Sequence, residues 1–374
     1  MVAAATSGPR RHGPLSALAL MAACWKWGSR YMALASLWSS PPCSRSPPRR
    51  AVAKAAATEA EAAAAGDATA GGEAKEETEE EASPEERLAR AAGAGDLPAL
   101  EELLGAGLSP DACAGEWGVP PLFTAAQAGH EGATRALLVA GAAVDCEIDG
   151  GLSALGAAVE SGSEGVVRAL LEAGADPGGA AQADAPVFTA VWEGFEAPLR
   201  ALLEHRADPN GCSAEGDAPL YVAAQEGDVP MSLALLEARA DAGRARPDGA
   251  TALYVAAHEG HDEVLRALLR FGADPERATE DGGTPLIVSA QNGHGLVVGS
   301  LVNARAELDR PASNGATPLA MAAQNGHEEV TRMLLESGAA RDRRRMDGAL
   351  PLDLALVAGH KGVAELLERP AVGR

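Results

Sequence analysis

Apolar residues recur along this chain in a fixed rhythm. Pairs, mostly Leu-Leu, fall at 103/104, 137/138, 170/171, 202/203, 235/236, 268/269, 301/302, 334/335 and 366/367, in steps of 32 to 34 residues. A second marker keeps the same register: Leu122, Leu155, Val187, Leu220, Leu253, Leu286, Leu319 and Leu352. Two markers in one register over most of the chain predict stacked supersecondary units, a solenoid. Such arrays bury a core between neighbours and leave a long surface free, which favours binding over chemistry in a pocket.

Residues 248–274 are the cleanest unit. Asp248-Gly249 is a turn signal, and Thr251 stands where a side-chain oxygen can cap a helix start. Leu253, Ala256 and Ala257 fall at i, i+3 and i+4, one face of a short helix. Gly260 ends it, because glycine tolerates the left-handed conformation that closes helices. Val264, Leu265, Leu268 and Leu269 mark a second helix, ended by Gly272, and Asp274-Pro275 opens an extended link. Helices this short are unstable alone, since about 12–15 residues are needed for marginal stability in water. Stacking must hold them.

The pattern resembles the ankyrin repeat, a turn plus two helices with a T-P-L-H-x-A signature. Thr284-Pro285-Leu286 and Thr317-Pro318-Leu319 match its first three letters. Gly-His recurs at 129/130, 260/261, 293/294, 326/327 and 359/360, and Gly-Ala-Asp at 174–176 and 272–274. The signature His is replaced throughout, by Phe123, Gly156, Phe188, Tyr221, Tyr254, Ile287, Ala320 and Asp353, which leaves its hydrogen bonding open. The resemblance implies an all-α solenoid over residues 84–374, about nine units including caps. At the first end, Pro84 suits a first helical position, with Glu85 and Glu86 favourable at the positive end of the helix dipole. The resemblance also implies a protein-interaction module that binds through a concave surface of links and first helices, with no catalytic site, cofactor or metal.

The degenerate unit covers about 183–208. Val187 replaces Leu, Phe195 replaces His, and Arg206 replaces the closing Gly. Two readings fit: drift in a unit that still packs, or a contact site marked by Trp192 and Phe195. Trp192 stands in a mostly polar column with Gln127, Glu160, Gln225, His258, Gln291 and Gln324, placed on the exposed side of the first helices. Tryptophan is enriched among residues that dominate binding energy. The late links are basic, with Arg244, Arg246, Arg277, Arg310, Arg343, Arg344 and Arg345. They are either a solvated rim or a surface for an acidic partner, since charge complementarity steers association. Arg135, Arg168, Arg200, Arg266 and Arg332 share another column, expected on the solvated outer face of the second helices.

Composition separates the first 83 residues. Residues 1–58 carry eight Lys or Arg and no acid; the rest holds 23 of the 31 basic residues and all 53 acidic ones, a net of −30. An Arg- and Ser-rich, acid-free start is the signature of a transit peptide. An apolar run over 14–25 behind Arg10-Arg11 resembles a secretory core instead, but is too short to span a bilayer. A transit peptide to a plastid or mitochondrion, a secretory or two-part presequence, and a plain disordered tail all remain readings, the last leaving the protein in the cytoplasm. Residues 59–83, Ala-rich then acidic, read as a disordered linker.

Candidate chemistry is sparse. The five cysteines form no C-x-x-C, which argues against a zinc site or a thioredoxin-like pair. Successive Gly-His histidines sit on stacked helices about 8–10 Å apart, too far to share one ion. His258 and His261 are three apart, not the four of H-E-x-x-H. A net of −30 disfavours nucleic acid, which needs a basic footprint. The expectation is a monomeric scaffold for a protein partner. The alternatives are a regulatory subunit of an enzyme and the targeting part of a larger one.

Overall fold

The structure, a computed structural model, describes residues 83–113, 118–148, 152–179, 184–213 and 216–369. The readings of the basic start and of the acidic linker before Ser83 lie outside them. The described residues form eighteen helices in nine consecutive pairs. The first helices are α1 (Pro84–Ala94), α3 (Pro121–Gln127), α5 (Ala154–Glu160), α7 (Pro186–Glu193), α9 (Pro219–Glu226), α11 (Ala252–Glu259), α13 (Pro285–Asn292), α15 (Pro318–Asn325) and α17 (Pro351–Ala358). The second helices are α2 (Leu97–Gly105), α4 (Glu131–Val139), α6 (Glu164–Glu172), α8 (Glu196–Glu204), α10 (Val229–Glu237), α12 (Asp262–Arg270), α14 (Gly295–Asn303), α16 (Glu328–Ser337) and α18 (Lys361–Glu368). Each first helix packs on the first helices of adjacent units and each second helix on the second helices, in two continuous layers.

The cap predicted at Thr251 is in place, and it recurs at Thr284 and Thr317. Thr251, Thr284 and Thr317 are buried and accept from the N–H of Tyr254, Ile287 and Ala320 at 3.2, 3.2 and 3.3 Å. Each thus satisfies a donor that a helix start leaves free. Ser83 builds a capping box ahead of α1, accepting from Glu86 N while Glu86 accepts from Ser83 N. The core is the repeating Leu and Ala positions: Leu253, Ala256, Ala257, Leu265 and Leu268 are all at most 1% exposed. Small residues on the first helices allow close approach, and each buried Leu contributes about 1.5–3 kcal/mol.

Links are short turns with isolated antiparallel bridges, Glu147 to Ser153 and Ala245 to Thr251. Backbone bonds tie each late link to the next: Glu280 N to Asp248 O at 3.0 Å, Ser313 N to Asp281 O at 2.9 Å, Met346 N to Asn314 O at 3.1 Å. A side-chain column repeats the tie, with Asp111, Asp145, Asn210, Glu276 and Asp309 accepting from the backbone of Ala143, Asp176, Asp241, Glu307 and Ala340.

A polar latch joins many units. His261, His294 and His327 donate from Nε2 to the carbonyls of Gln225, His258 and Gln291 at 3.1, 2.9 and 2.8 Å. His130 does the same to Gly93 at 3.1 Å. Each ring lies over the glycine that ends the preceding first helix, where a Cβ on Gly260 would come within 2.7 Å of His294. Glycine is needed there for space as well as for its φ of +85°. Ser163, Phe195 and Asp228 hold this place in the third, fourth and fifth units, so the histidine latch is missing from three adjacent junctions. Phe195 fills the notch with its ring, 2.9 Å from a Cβ placed on Gly162.

The outer face carries the arginine column as expected. Arg135 pairs with Glu131 at 3.0 Å and Glu172 at 3.5 Å; Arg168 pairs with Glu164 at 3.0 Å and Glu204 at 2.8 Å. These exposed pairs bridge neighbouring second helices. At the far end, Asp353 accepts from Leu350 N at 2.9 Å and so caps its own helix. Leu356 and Val357 stay 56% and 90% exposed on that last first helix.

Candidate partner-binding surface

The first helices place one residue per unit in a single row. Gln127, Glu160, Trp192, Gln225, His258, Gln291 and Gln324 are all exposed, and each is the seventh residue of its helix. Backbone and side chain are treated differently there. The carbonyls of His258 and Gln291 are each held twice by the following unit, through His294 and Asn292 Nδ2 and through His327 and Asn325 Nδ2, all at 2.8–2.9 Å. The row is therefore fixed at its root where the next unit holds those carbonyls, which lowers the entropy lost on binding.

Trp192 is 40% exposed and stacks on buried Phe188, one turn earlier, with centroids 5.9 Å apart and planes at 22°. A braced, half-exposed indole is a rigid apolar anchor. Phe195 sits elsewhere: half-buried at the start of α8, it packs into the notch over Gly162.

The link arginines divide into engaged and free. Arg246 pairs with Asp217 at 3.0 Å and lies 4.9 Å from the Tyr221 ring centroid. Arg345 donates to Gln324 Oε1 at 3.0 Å and pairs with Asp347 at 3.5 Å, so link and helix row meet there. Arg244 donates to Asn210 O at 3.1 Å, Arg310 pairs with Glu276 at 3.3 Å, and Arg344 donates to Gly348 O at 2.7 Å. Arg277 and Arg343 are exposed, with no ion pair or side-chain hydrogen bond among the described residues.

Between α11, α13, α15 and the two links beside them lies a pocket of about 200 Å³, lined by Tyr254, Asp281, Ile287, Gln291, Asn314 and Met321 among others. Of these, Gln291 alone belongs to the contact column expected from the sequence. The available signal was the tyrosines standing in for the signature histidine. Arg246, in the following link, lies over the Tyr221 ring, and Tyr254 lines the pocket together with Asp281 and Gly283 of its following link. Burial raises both phenol pKa values, because it disfavours the phenolate.

Among the described residues, no group of three or more His, Cys, Asp or Glu could hold a metal ion, and no helix is long and apolar enough to cross a membrane. Cys113, Cys146 and Cys212 are free thiols. A family model for ankyrin repeats matches the chain three times, over residues 88–180, 220–312 and 286–372. No curated protein matches it.

Proposed function

The chain belongs to the ankyrin-repeat family, and from that premise we propose that it is a scaffold binding a protein partner along the row of first-helix residues and the adjoining links. Ankyrin repeats are in general protein–protein interaction modules and typically not enzymes. The observation that carries the reading is the row itself: seven exposed side chains in register, with several backbone carbonyls pinned by the next unit. Trp192 is the anchor, and Gln291, three units further along, lines the pocket between α11, α13 and α15. Arg345 and Gln324 form a preset polar pair at the row's far end. No step in this function needs a cofactor.

Site-specific photo-crosslinking in cells tests the assignment. A crosslinker at Gln225 or Gln291 should trap one dominant partner, and one at Arg332 on the outer face should not. Trp192→Ala should weaken capture at least tenfold while leaving the helical signal intact. Equal trapping from both faces, or unchanged capture by Trp192→Ala, would remove this surface from consideration.

A further inference from the structure

The basic links contain a finer order than their composition. Counting seven residues back from each first-helix N-cap gives Cys113, Cys146, Gly178 and Gly211 in the early links. In the late links the same count, from Thr251, Thr284, Thr317 and Leu350, gives Arg244, Arg277, Arg310 and Arg343. Four consecutive units thus hold arginine in one structural column.

That column rides on a fixed frame. The links are tied by the Asp248–Glu280, Asp281–Ser313 and Asn314–Met346 backbone bonds. The residues before Arg277 and Arg310, Glu276 and Asp309, bond onward to Glu307 N at 2.7 Å and Ala340 N at 2.8 Å. The arginines therefore repeat at the stacking distance of the units, about 8–10 Å. Intramolecular contacts consume little of their capacity. Arg244 spends one donor on a carbonyl, Arg310 makes a single 3.3 Å pair, and Arg277 and Arg343 stand exposed. A lone exposed arginine is a solvated rim residue; four at one interval specify a ruler.

We propose that Arg244, Arg277, Arg310 and Arg343 form a rail for an extended acidic segment of a partner protein, carrying one carboxylate at every third residue. A polyproline-II strand returns to the same face every three residues, after about 9.3 Å, which matches the rail. In a β-strand, residues three apart point to opposite faces. In an α-helix the match needs seven residues, and the contact stripe drifts by about 20° per heptad. Guanidinium takes carboxylate through paired, planar hydrogen bonds. Sparse charge also suits the setting. The chain has a net charge of −22, so a ligand with phosphates every few ångströms would meet far more repulsion. The rail rests on the reading that this array binds a protein, but not on the first-helix row.

The test uses the full chain and two fluorescein-labelled peptides of one composition, four Glu and eight Pro. One is (Glu-Pro-Pro)₄; the other has its glutamates contiguous. Anisotropy should show roughly tenfold tighter binding of the spaced peptide, weakening with salt. Arg277→Gln with Arg343→Gln should remove roughly tenfold of that affinity; neither side chain has an ion pair or side-chain hydrogen bond to lose among the described residues. Arg332→Gln, a loss of charge on the outer face, should leave peptide binding unchanged, and the crosslinks from Gln225 and Gln291 are read independently of the peptides, which separates failure of the rail from failure of the row. A second protein with Glu76, Glu77, Glu79, Glu80 and Glu81 changed to Gln removes competition from the chain's own acids. Equal binding of the two peptides, no effect of the double substitution, tighter binding of an oligonucleotide of equal charge, or no peptide binding by either protein would each overturn the rail.

Discussion

Three arginines hold the left-handed conformation that glycine holds elsewhere in the same column. Gly107, Gly141, Gly174, Gly272 and Gly338 close second helices with φ between +88° and +100°; Arg206, Arg239 and Arg305 do so at +65°, +69° and +64°. A Cβ added at any of these five glycines meets nothing within 4 Å, so space is not the issue. The three arginines are exposed and have no ion pair or side-chain hydrogen bond among the described residues, so replacing them removes no contact. What remains is backbone strain, about 1–2 kcal/mol for an L-residue in this region. Glycine returns about 0.4–1 kcal/mol of that through its freer unfolded chain. Arg206→Gly, Arg239→Gly and Arg305→Gly should each stabilise by about 0.5–1 kcal/mol, and the triple variant by about 1.5–3 kcal/mol, since separated sites add. Urea unfolding followed at 222 nm, with the slope checked for constancy, measures this. Gly272→Ala, in open space at φ +88°, is the reverse control and should cost about 1 kcal/mol. A lower midpoint for Arg206→Gly, or a higher one for Gly272→Ala, would refute the strain argument.

Other outcomes follow from the same structure. His327→Ala removes the 2.8 Å bond to Gln291 O and should cost about 1–2 kcal/mol by the same urea assay; Ser163→Ala, at a junction without the histidine, should cost less. The thiol pKa of Cys146 is raised, chiefly by burial, so its thiolate is depleted. Iodoacetamide should label it more slowly at pH 8 than a free peptide thiol, with the gap closing as pH rises. Burial raises the phenol pKa of Tyr221 and Tyr254. Their neutral forms are favoured in the fold, so this contribution is complete below the ordinary tyrosine value near 10 and is lost above it. Stability should fall at higher pH, and Tyr221→Phe with Tyr254→Phe should flatten that fall.

Much of this architecture was legible in the sequence, for definable reasons. Leu253, Ala256 and Leu268 are core because a unit with a fixed period must bury the same positions each time. Thr251 and Gly260 are punctuation whose chemistry is local, so spacing alone located them. The row holding Trp192 and Gln291 was found by register, since a polar column among apolar ones must face outward. What escaped depends on contacts between units. For Phe195 the sequence leaves drift and a contact site both open, and what it cannot show is that the ring fills a notch whose other wall is Gly162, a unit earlier. Arg246 looked like a free cation, but its partners Asp217 and Tyr221 lie over 20 residues away.

The interrupted histidine latch has a mechanical consequence. In a stack where each unit touches only its neighbours, tension is carried in series, and the weakest junction sets the yield point. The junctions fastened by His261, His294 and His327 are consecutive. Those at Ser163, Phe195 and Asp228 are consecutive too, and lack that bond. Drawn out by its ends, the molecule should part near its middle, as a fuse does. The later units, with the arginine column and the preset Arg345–Gln324 pair, would stay assembled. A load that opens the array would therefore spare its carboxy-terminal half, and a partner seated there would outlast the break.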